Sequence, residues 1–250
     1  MEIISSVKNP LIVKIKKIKE NFDNKLFLEN PKTIEEAYLQ NISFDICLID
    51  ADKKESVLQK NPFLKNCKTV LVKDNVLKSV CDTKTPQGVA VVANIKPLKL
   101  KEPEGNFLVL ENLQDPGNLG TIIRSARGTD FKDIYLINCV SPYNQKVVRS
   151  TMGAIFSQNL CFFKTSTDFL NFAKQNKLSL CAADMAGENL FGYKKPNENF
   201  GLVIGNEGSG VSIEMKNACK YSVSIPMKNG LESLNAGVAC SILMYYFDNI

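Results

Sequence analysis

The sequence predicts an α/β fold arranged as two domains, and three observations support this prediction. Short apolar segments alternate with amphipathic segments of helical period along the 250 residues. From Asn106 onward the apolar segments are continuous, which is typical of parallel strands covered on both faces. Hydrophobic residues make up 44% and charged residues 23% of the chain, as in ordinary globular proteins.

The first domain is predicted to cover residues 1–95. Residues 3–20 indicate a turn followed by a basic amphipathic helix, with Leu11, Ile15 and Ile18 on its apolar face. The segments that follow predict a helix at Thr33–Gln40 and strands at 25–29, 45–49, 69–72 and 88–92. Two prolines and several charges without periodicity then predict a linker at 96–105.

In the second domain, residues 106–250, strand-like and helix-like segments alternate more regularly. Its apolar segments predict strands at 107–110, 134–138, 160–163, 178–183, 201–204 and 222–225. Helices are predicted at 119–128, 146–158, 166–176, 212–219 and 235–247. In the first of these helices the residues that recur at the spacing of one buried face are Leu119, Ile122, Ile123 and Ala126.

Several function classes are disfavoured by composition. No apolar run approaches the roughly 18 residues of a membrane span, and the first residues lack the layout of a signal peptide, so a cytoplasmic location is expected. The eight cysteines contain no C-x-x-C pair and are expected to be reduced and mostly buried. Histidine is absent, which removes His-based triads and His-ligated zinc, and no metal is expected.

The net charge of +5 is unevenly distributed. Residues 1–100 contain 17 lysines and 12 acidic residues, whereas the remainder carries 14 basic and 14 acidic residues. A basic first domain suits contact with a phosphate backbone, although a solvated lysine-rich surface would have the same charge. Lys14 and Lys17 of the first helix are candidates for such contact, the alternative being an ordinary outer helix.

Arginine usage is more selective. The chain has 28 lysines but only three arginines, Arg124, Arg127 and Arg149. Lysine replaces arginine as a point charge but not as a planar, bidentate donor to phosphate or carboxylate. These three positions are therefore candidate functional residues.

Two loops in the last fifty residues have the composition of ligand-binding loops. Gly205-Asn-Glu-Gly-Ser-Gly210 follows one predicted strand, and glycines allow backbone groups to approach a ligand closely. A second predicted strand is followed by Pro226-Met227 and then by Ser233-Leu234-Asn235 before the last helix. Open α/β sheets usually bind small molecules at the carboxyl ends of their strands, so a site is predicted here.

A third polar segment, Asp115-Pro-Gly-Asn118-Leu-Gly120, opens the helix that carries Arg124 and Arg127. Asn118 could be the N-cap of this helix or part of an anion-binding helix start. Ser233 and Asn235 could likewise cap the final helix, a role compatible with a chemical one.

These segments together resemble a known family. Asp-Pro-x-Asn-x-Gly-x-x-x-Arg at 115–124, Gly-Asn-Glu-Gly-x-Gly at 205–210 and Ile-Pro-Met-x-x-Gly-x-x-Ser-Leu-Asn at 225–235 are similar to the three motifs of SpoU (TrmH-like) RNA 2′-O-ribose methyltransferases of the SPOUT superfamily. Segments 4–10, 26–29 and 85–89 also resemble the substrate-binding domain of that family. The chain departs from it around this domain's first long strand, where Asn24-Lys25 and Asn30-Pro31 stand in place of the usual preceding Arg and following Gly.

The resemblance implies an architecture that periodicity does not predict. The second domain would have a parallel sheet whose C-terminal segment threads a loop to form a trefoil knot, a rare topology. The first domain would bind RNA, with ribosomal RNA preferred over transfer RNA as the substrate. The protein would be a homodimer with its active site at the subunit interface, which would explain why helix 235–247 is apolar on nearly all sides.

The resemblance also implies roles for individual residues. S-adenosylmethionine would bind mostly to the backbone of the two loops, at Gly205, Asn206, Ile225, Met227 and Leu234. The polar groups of the reaction would be Asn118, Arg124, Glu207, Ser233 and Asn235. A guanidinium stays protonated in proteins, so an electrostatic role suits Arg124 better than that of a base. Segment 147–153 resembles a helix start of the family, so Arg149 would contact RNA. Arg127, Lys14 and Lys17 are further candidates for RNA contact because of their charge and not because of the resemblance.

Two other classes of function remain as alternatives. A catalytically inactive RNA-binding or ribosome-associated protein would have the same fold, but should have lost Arg124, Glu207 or Asn235, all of which are present. A nucleotide phosphate binder is disfavoured because the chain has no Walker A motif and no G-x-G-x-x-G after its first strand. The latter absence also argues against a Rossmann-type methyltransferase.

Overall fold

The computed structural model describes residues 3–95 and 99–249. The chain divides into two compact units, Met1–Pro97 and Leu98–Ile250. Residues 99–105 of the predicted linker contain neither helix nor strand, whereas residues 96–98 lie outside the described part of the chain. Across the two described ranges, no helix is both long enough and apolar enough to cross a membrane.

The first unit contains a five-stranded mixed sheet and four α-helices among the residues described. In chain order they are β1 (Ile3–Ile4), α1 (Pro10–Glu20), β2 (Lys25–Leu28), α2 (Pro31–Leu39), β3 (Phe44–Asp50), α3 (Lys54–Lys60), β4 (Thr69–Val72), α4 (Asp74–Val80) and β5 (Val89–Asn94). The sheet order is β1-β4-β3-β5-β2. The pairs β1–β4 and β4–β3 are parallel, while β5 is antiparallel to β3 and β2. The predicted α/β class is therefore confirmed for this unit.

Three elements of the first unit have no counterpart in the sequence prediction, namely β1, α3 and α4. β1 has two residues, and α3 and α4 have seven residues each. Such segments are shorter than the window over which helical or strand periodicity becomes visible. β1 is therefore placed by its pairing with β4, and the two helices by tertiary packing, rather than by a local sequence pattern.

Helix α1 forms where the sequence predicts it. Pro10 occupies its first turn, and the side chain of Asn9 caps it by accepting a hydrogen bond from the Leu11 amide. Ile12 and Ile15 are fully buried against the sheet, whereas Leu11 is only half-buried. Leu11 and Ile18 are partly buried and pack against the same core, so the predicted apolar face is confirmed and Ile12 is added to it.

The second unit contains a six-stranded sheet and five α-helices within its described residues. They are β6 (Phe107–Glu111), α5 (Pro116–Ala126), β7 (Asp133–Ile137), α6 (Gln145–Thr151), β8 (Asn159–Phe163), α7 (Ser166–Gln175), β9 (Ser179–Asn189), β10 (Phe200–Ile204), α8 (Ile213–Ala218), β11 (Tyr221–Ser224) and α9 (Ala236–Asp248). The sheet order is β11-β9-β10-β6-β7-β8, and every pairing is parallel. The predicted parallel sheet is confirmed, and the trefoil knot stays a prediction.

An aromatic core covers one side of this sheet. Tyr135 lies fully buried on β7, with the rings of Phe107, Phe169 and Phe172 centred 5.5–5.6 Å away. Its hydroxyl donates a hydrogen bond of 2.7 Å to the Lys101 carbonyl oxygen. Burial of this large ring is favourable because its one polar group has a partner.

Two predicted boundaries in this unit are wrong. The helix expected at 146–158 ends at Thr151, because Met152 and Gly153 adopt left-handed φ angles of 49° and 93° and a short 3₁₀ turn follows. The strand expected at 178–183 continues to Asn189. Its second half pairs with β11 after a shift of register, which a search for continuous apolar residues does not detect.

The buried carboxylate of Glu111 fixes the starts of two helices at the end of β6. It is 1% exposed and accepts hydrogen bonds from the Ser212 amide and hydroxyl, both at 2.8 Å, and from the Ser166 hydroxyl. Ser212 is the N-cap of α8, and Ser166 is the first residue of α7. Because buried carboxylates are costly unless their oxygens are hydrogen-bonded, this network favours one arrangement of the three elements.

We expect Glu111→Gln to destabilise the protein by about 1–3 kcal/mol, because the new amide group turns a donor toward the Ser212 amide or hydroxyl. Urea unfolding of the variant measures this loss. Glu104→Gln is the matched control, since the Glu104 side chain is 85% exposed and pairs with Lys101 at the surface. A Glu111→Gln protein as stable as the control would contradict the role assigned to the network.

Candidate active site

A cavity of about 270 Å³ lies at the carboxyl ends of β9, β10 and β11. All five residues predicted to bind a cofactor line it, namely Gly205, Asn206, Ile225, Met227 and Leu234. Glu207 and Ser233, both predicted to be catalytic, line the same cavity. The structure thus brings the two predicted loops to one site, in the position that parallel sheets commonly use for ligands.

The glycine-rich loop after β10 closes tightly on itself. The Asn206 amide donates to the Gly210 carbonyl oxygen at 3.0 Å, and the Gly210 amide donates back at 2.9 Å. A Cβ atom on Gly205 would lie 2.0 Å from the Gly210 carbonyl carbon, and Gly210 has a φ of +67°. Glycine is therefore required at both positions, for close approach at one and for a left-handed backbone at the other.

The side chain of Asn206 holds this loop from within. Its oxygen accepts hydrogen bonds from the amides of Gly208 and Ser209, at 2.9 and 3.2 Å. Its nitrogen donates to the Asn112 carbonyl oxygen at 2.9 Å. Asn206 therefore ties the loop to the end of β6 in addition to lining the cavity.

A chain of hydrogen-bonded side chains runs beside the cavity. The Asn235 side-chain nitrogen donates to the Asn118 oxygen at 2.7 Å, and the Asn118 nitrogen donates to Glu207 Oε1 at 2.9 Å. Glu207 Oε1 also accepts from the Asp115 amide at 3.4 Å. Three segments far apart in the sequence are therefore joined through Asn118, which is 7% exposed.

The structure resolves the alternatives for helix capping. Asp115 is the N-cap of α5, since its carboxylate accepts from the Asn118 amide at 2.8 Å, so the capping role considered for Asn118 is wrong. Asn235 is the N-cap of α9 and accepts from the Val238 amide at 3.2 Å. Ser233 does not cap that helix. Asn235 serves both functions because its oxygen caps α9 while its nitrogen binds Asn118.

Arg124 lies on the same helix as Asn118 but lines a different cavity. Arg124 lies six positions after Asn118, which corresponds to about 9 Å along the helix axis. Arg124 and Arg127 share a second cavity of about 330 Å³ with Gly128, Thr151, Met152 and Ala154. Within one chain the structure therefore groups Asn118, Glu207 and Asn235 by hydrogen bonds and places Arg124 in a neighbouring arginine-lined cavity.

The remaining predicted RNA contacts lie elsewhere. Arg149 is on α6, the helix that packs against α5 through Gly120. Lys14 and Lys17 are exposed on α1 in the first unit. In contrast, Lys19 of the same helix donates to the Val80 carbonyl oxygen at 2.8 Å and pairs with Asp82, so it has a structural role.

Several residues of the cavity were missed by the sequence analysis, among them three from outside the two predicted loops. Asp184 and Met185 come from the second half of β9, and Lys216 comes from α8. Lys216 forms an ion pair with Asp184 and so lowers the pKa of that carboxyl group. In the sequence, Asp184 is visible only as a single acidic residue that interrupts an apolar run, and such a residue does not identify a site.

The described residues offer little for cysteine or metal chemistry at this edge of the sheet. Cys139 interacts electrostatically with Glu207, and burial raises the pKa of its thiol to about 11. Its sulfur lies 3.1 Å from the Leu110 carbonyl oxygen, to which the protonated thiol can donate. Among residues 3–95 and 99–249 no group of three or more His, Cys, Asp or Glu side chains could hold a metal ion.

Comparison with known proteins agrees with this geometry. The model of the SpoU rRNA Methylase family matches residues 105–245. An uncharacterized tRNA/rRNA methyltransferase of Synechocystis sp. is 29% identical over 97% of this chain and 92% of its own length. The 23S rRNA (guanosine(2553)-2′-O)-methyltransferase RlmP of Bacillus subtilis is 27% identical over 98% of this chain and 99% of its own length.

A solved structure has the same fold throughout. The AdoMet-bound rRNA methyltransferase from Sinorhizobium meliloti superposes with a TM-score of 0.84, covering 98% of this chain and 97% of that protein at 21% identity. The family match covers more than half of the chain and includes the loops and helices that build the cavity. This chain belongs to the SpoU rRNA methylase family.

Proposed function

We propose that this protein transfers the methyl group of S-adenosylmethionine to a ribose 2′-hydroxyl of RNA, with ribosomal RNA preferred over transfer RNA. Membership of the SpoU family makes the chain an RNA methyltransferase. The finer assignment is supported by RlmP, whose name specifies 2′-O methylation of 23S rRNA and which matches this chain over almost its whole length. The observation that carries the proposal is the Asn235–Asn118–Glu207 chain of hydrogen bonds beside a glycine-loop cavity.

The cavity fits S-adenosylmethionine. Its apolar lining residues include Ile204, Ile225 and Leu234, which suit an adenine ring, and its polar lining includes backbone groups of the glycine-rich loop. Three acidic side chains and one lysine line it, an excess of negative charge that suits a sulfonium cation. When bound, this cofactor supplies a methyl group attached to a positively charged sulfur.

The polar chain of this protein has the task of positioning. Because the leaving thioether is neutral, methyl transfer needs little acid catalysis, and the site must align the hydroxyl and accommodate the loss of its proton. Glu207 Oε1 already accepts two hydrogen bonds, from the Asn118 side chain and the Asp115 amide. We assign Glu207 to fixing Asn118, and Asn118 and Asn235 to orienting the ribose.

Arg124 has a different role in this proposal. A guanidinium only donates hydrogen bonds, so Arg124 would bind a phosphate beside the target ribose and stabilise negative charge that develops on the 2′-oxygen. Arg127 lines the same cavity and would contact the RNA backbone. Arg149, Lys14 and Lys17 would extend this contact, the two lysines through the first unit, to which we assign RNA binding.

We further propose that the protein acts as a homodimer, paired through α9. Val238, Ile242 and Tyr245 recur at the spacing of one helix face and are 46%, 36% and 48% exposed. The opposite face, with Cys240, Leu243, Met244 and Phe247, is buried within the unit. An apolar stripe on an otherwise packed helix is typical of a protein interface.

The substrate assignment predicts a single labelled ribose. Total RNA from a strain that lacks this gene is incubated with the protein and S-adenosylmethionine carrying a labelled methyl group, and the modified position is mapped. We expect label on one 2′-oxygen of ribosomal RNA.

Arg124→Ala should lower the rate by at least about 100-fold, because an electrostatic contact to the transition state is lost, and should leave donor affinity nearly unchanged. Label on a base, or a donor-binding defect in Arg124→Ala, would contradict these assignments.

Asn235→Asp separates capping from positioning. Aspartate caps helices as well as asparagine but leaves the Asn118 oxygen without its donor, so the start of α9 should be kept while the free energy of unfolding falls by about 1–3 kcal/mol. It has no side-chain N–H to donate to Asn118, and its charge would lie near Glu207, so we expect turnover to fall by roughly tenfold or more. The checks are thermal melting and single-turnover methylation. Full activity in this variant would show that Asn235 serves only as a cap.

The dimer assignment predicts that Ile242→Asp yields a monomer. Burial of the carboxylate in an apolar interface would cost desolvation free energy that no partner charge offsets. Light scattering coupled to gel filtration measures the mass. Asn171→Asp is the control, because Asn171 is exposed on α7 and gains the same charge outside α9. A wild-type protein that is already monomeric at micromolar concentration would overturn the proposal.

A further inference from the structure

An ion pair lies in the wall of the cofactor cavity, and it joins two elements that lie outside the three sequence motifs. Asp184 of β9 and Lys216 of α8 both line the cavity, and their side chains are 15% and 40% exposed. The Asp184 carboxylate is bonded to Lys216 Nζ through Oδ2, and its Oδ1 accepts from the Ala186 amide at 2.9 Å. The carboxylate is therefore held in place before any ligand binds.

The backbone of β9 is shaped to bring Asp184 over the cavity. β10 pairs with β9 only as far as Ala182. The register between β9 and β11 then jumps, from Ser222 opposite Ala182 to Val223 opposite Glu188. Residues 183–187 thus form a bulge outside the β9–β11 register, although the Ser224 hydroxyl donates to the Gly187 carbonyl oxygen at 2.9 Å. Bulges often redirect side chains beside active sites.

A glycine allows the bulge to rejoin the sheet. A Cβ atom on Gly187 would lie 2.5 Å from the Val223 amide nitrogen and 2.7 Å from the Ser222 carbonyl carbon. Only a residue without a side chain permits this approach. The detour of β9 around the cavity is therefore built into the fold and is not a loop of variable shape.

We propose that Asp184 binds the ribose hydroxyls of the methyl donor and is a cofactor-recognition residue of this enzyme; this inference rests on the proposed function. An ionised carboxylate offers about four acceptor sites, and two are used by Lys216 and Ala186. The remaining two match the two O–H donors of a vicinal diol. Paired carboxylate-to-ribose hydrogen bonds are a general means of recognising nucleosides.

Charge distinguishes this role from contact with the amino-acid end of the donor. Lys216 neutralises Asp184, and a neutralised carboxylate favours uncharged hydroxyl donors over an ammonium group. The same pairing lowers the pKa of the Asp184 carboxyl, so it remains an acceptor at neutral pH. Glu232, also in the cavity wall, is the acid better suited to an ammonium group.

Calorimetric titration of S-adenosylhomocysteine and of its 2′-deoxy and 3′-deoxy analogues tests the proposal without an activity assay. The wild-type protein should bind each deoxy analogue about three- to tenfold more weakly, since a hydrogen bond to the carboxylate is lost. Asp184→Asn should bind S-adenosylhomocysteine about tenfold more weakly and should discriminate among the three ligands by less than about twofold. This loss of discrimination is what a merely structural role would not produce.

Glu198→Gln is the matched control, because Glu198 forms a surface ion pair with Lys220 at 2.6 Å and does not line the cavity. It should bind all three ligands as the wild type does. Equal binding of the three ligands by the wild-type protein would overturn the inference, even if Asp184→Asn fails to fold. Undiminished discrimination by a folded Asp184→Asn protein would do the same. If the wild type binds neither S-adenosylhomocysteine nor S-adenosylmethionine, the proposed function itself fails.

Discussion

The arrangement of the site depends on how the side-chain amide of Asn118 is satisfied. The Glu207 carboxylate can only accept, so it requires the nitrogen of Asn118, which leaves the Asn118 oxygen for the nitrogen of Asn235. At 7% exposure, an unsatisfied end of this amide would cost on the order of 1–3 kcal/mol. The packing of α5 is therefore coupled to the conformation of two loops that are more than 80 residues away in the sequence.

Glu111 and Asn206 hold the segments next to this hydrogen-bond network in place. The Glu111 carboxylate fixes the start of α8 directly after the glycine-rich loop, and the Asn206 side chain fixes the loop to the end of β6. Both residues act at the carboxyl edge of the parallel sheet, where loops from several strands converge. A loop held at both ends and hydrogen-bonded internally presents its backbone groups to a ligand with little further loss of entropy.

Much of this organisation could be predicted from sequence because it is local. Continuous apolar segments predicted all six strands of the second unit, and the buried stripe of α5 is the predicted one. The composition of the two loops at 205–210 and 225–235 predicted a site where the cavity lies, whereas roles for individual residues came only from the resemblance to a family. What could not be predicted depends on tertiary pairing: the bulge that turns Asp184 inward follows from the register between β9 and β11, and the end of α6 follows from two left-handed residues.

The position of Arg124 follows from the rigidity of α5. The first turn of this helix carries Asn118 beside the cofactor cavity, and its last turn carries Arg124 in the arginine-lined cavity. A helix holds such a spacing more reliably than a loop does. Helix α9 packs along α5 in register: Gly237 meets Thr121, and the Ser241 hydroxyl donates to the Ser125 hydroxyl at 2.8 Å. The helix to which we assign dimerisation therefore touches α5 along its length, so pairing of two subunits through α9 would stabilise the geometry that we propose for methyl transfer.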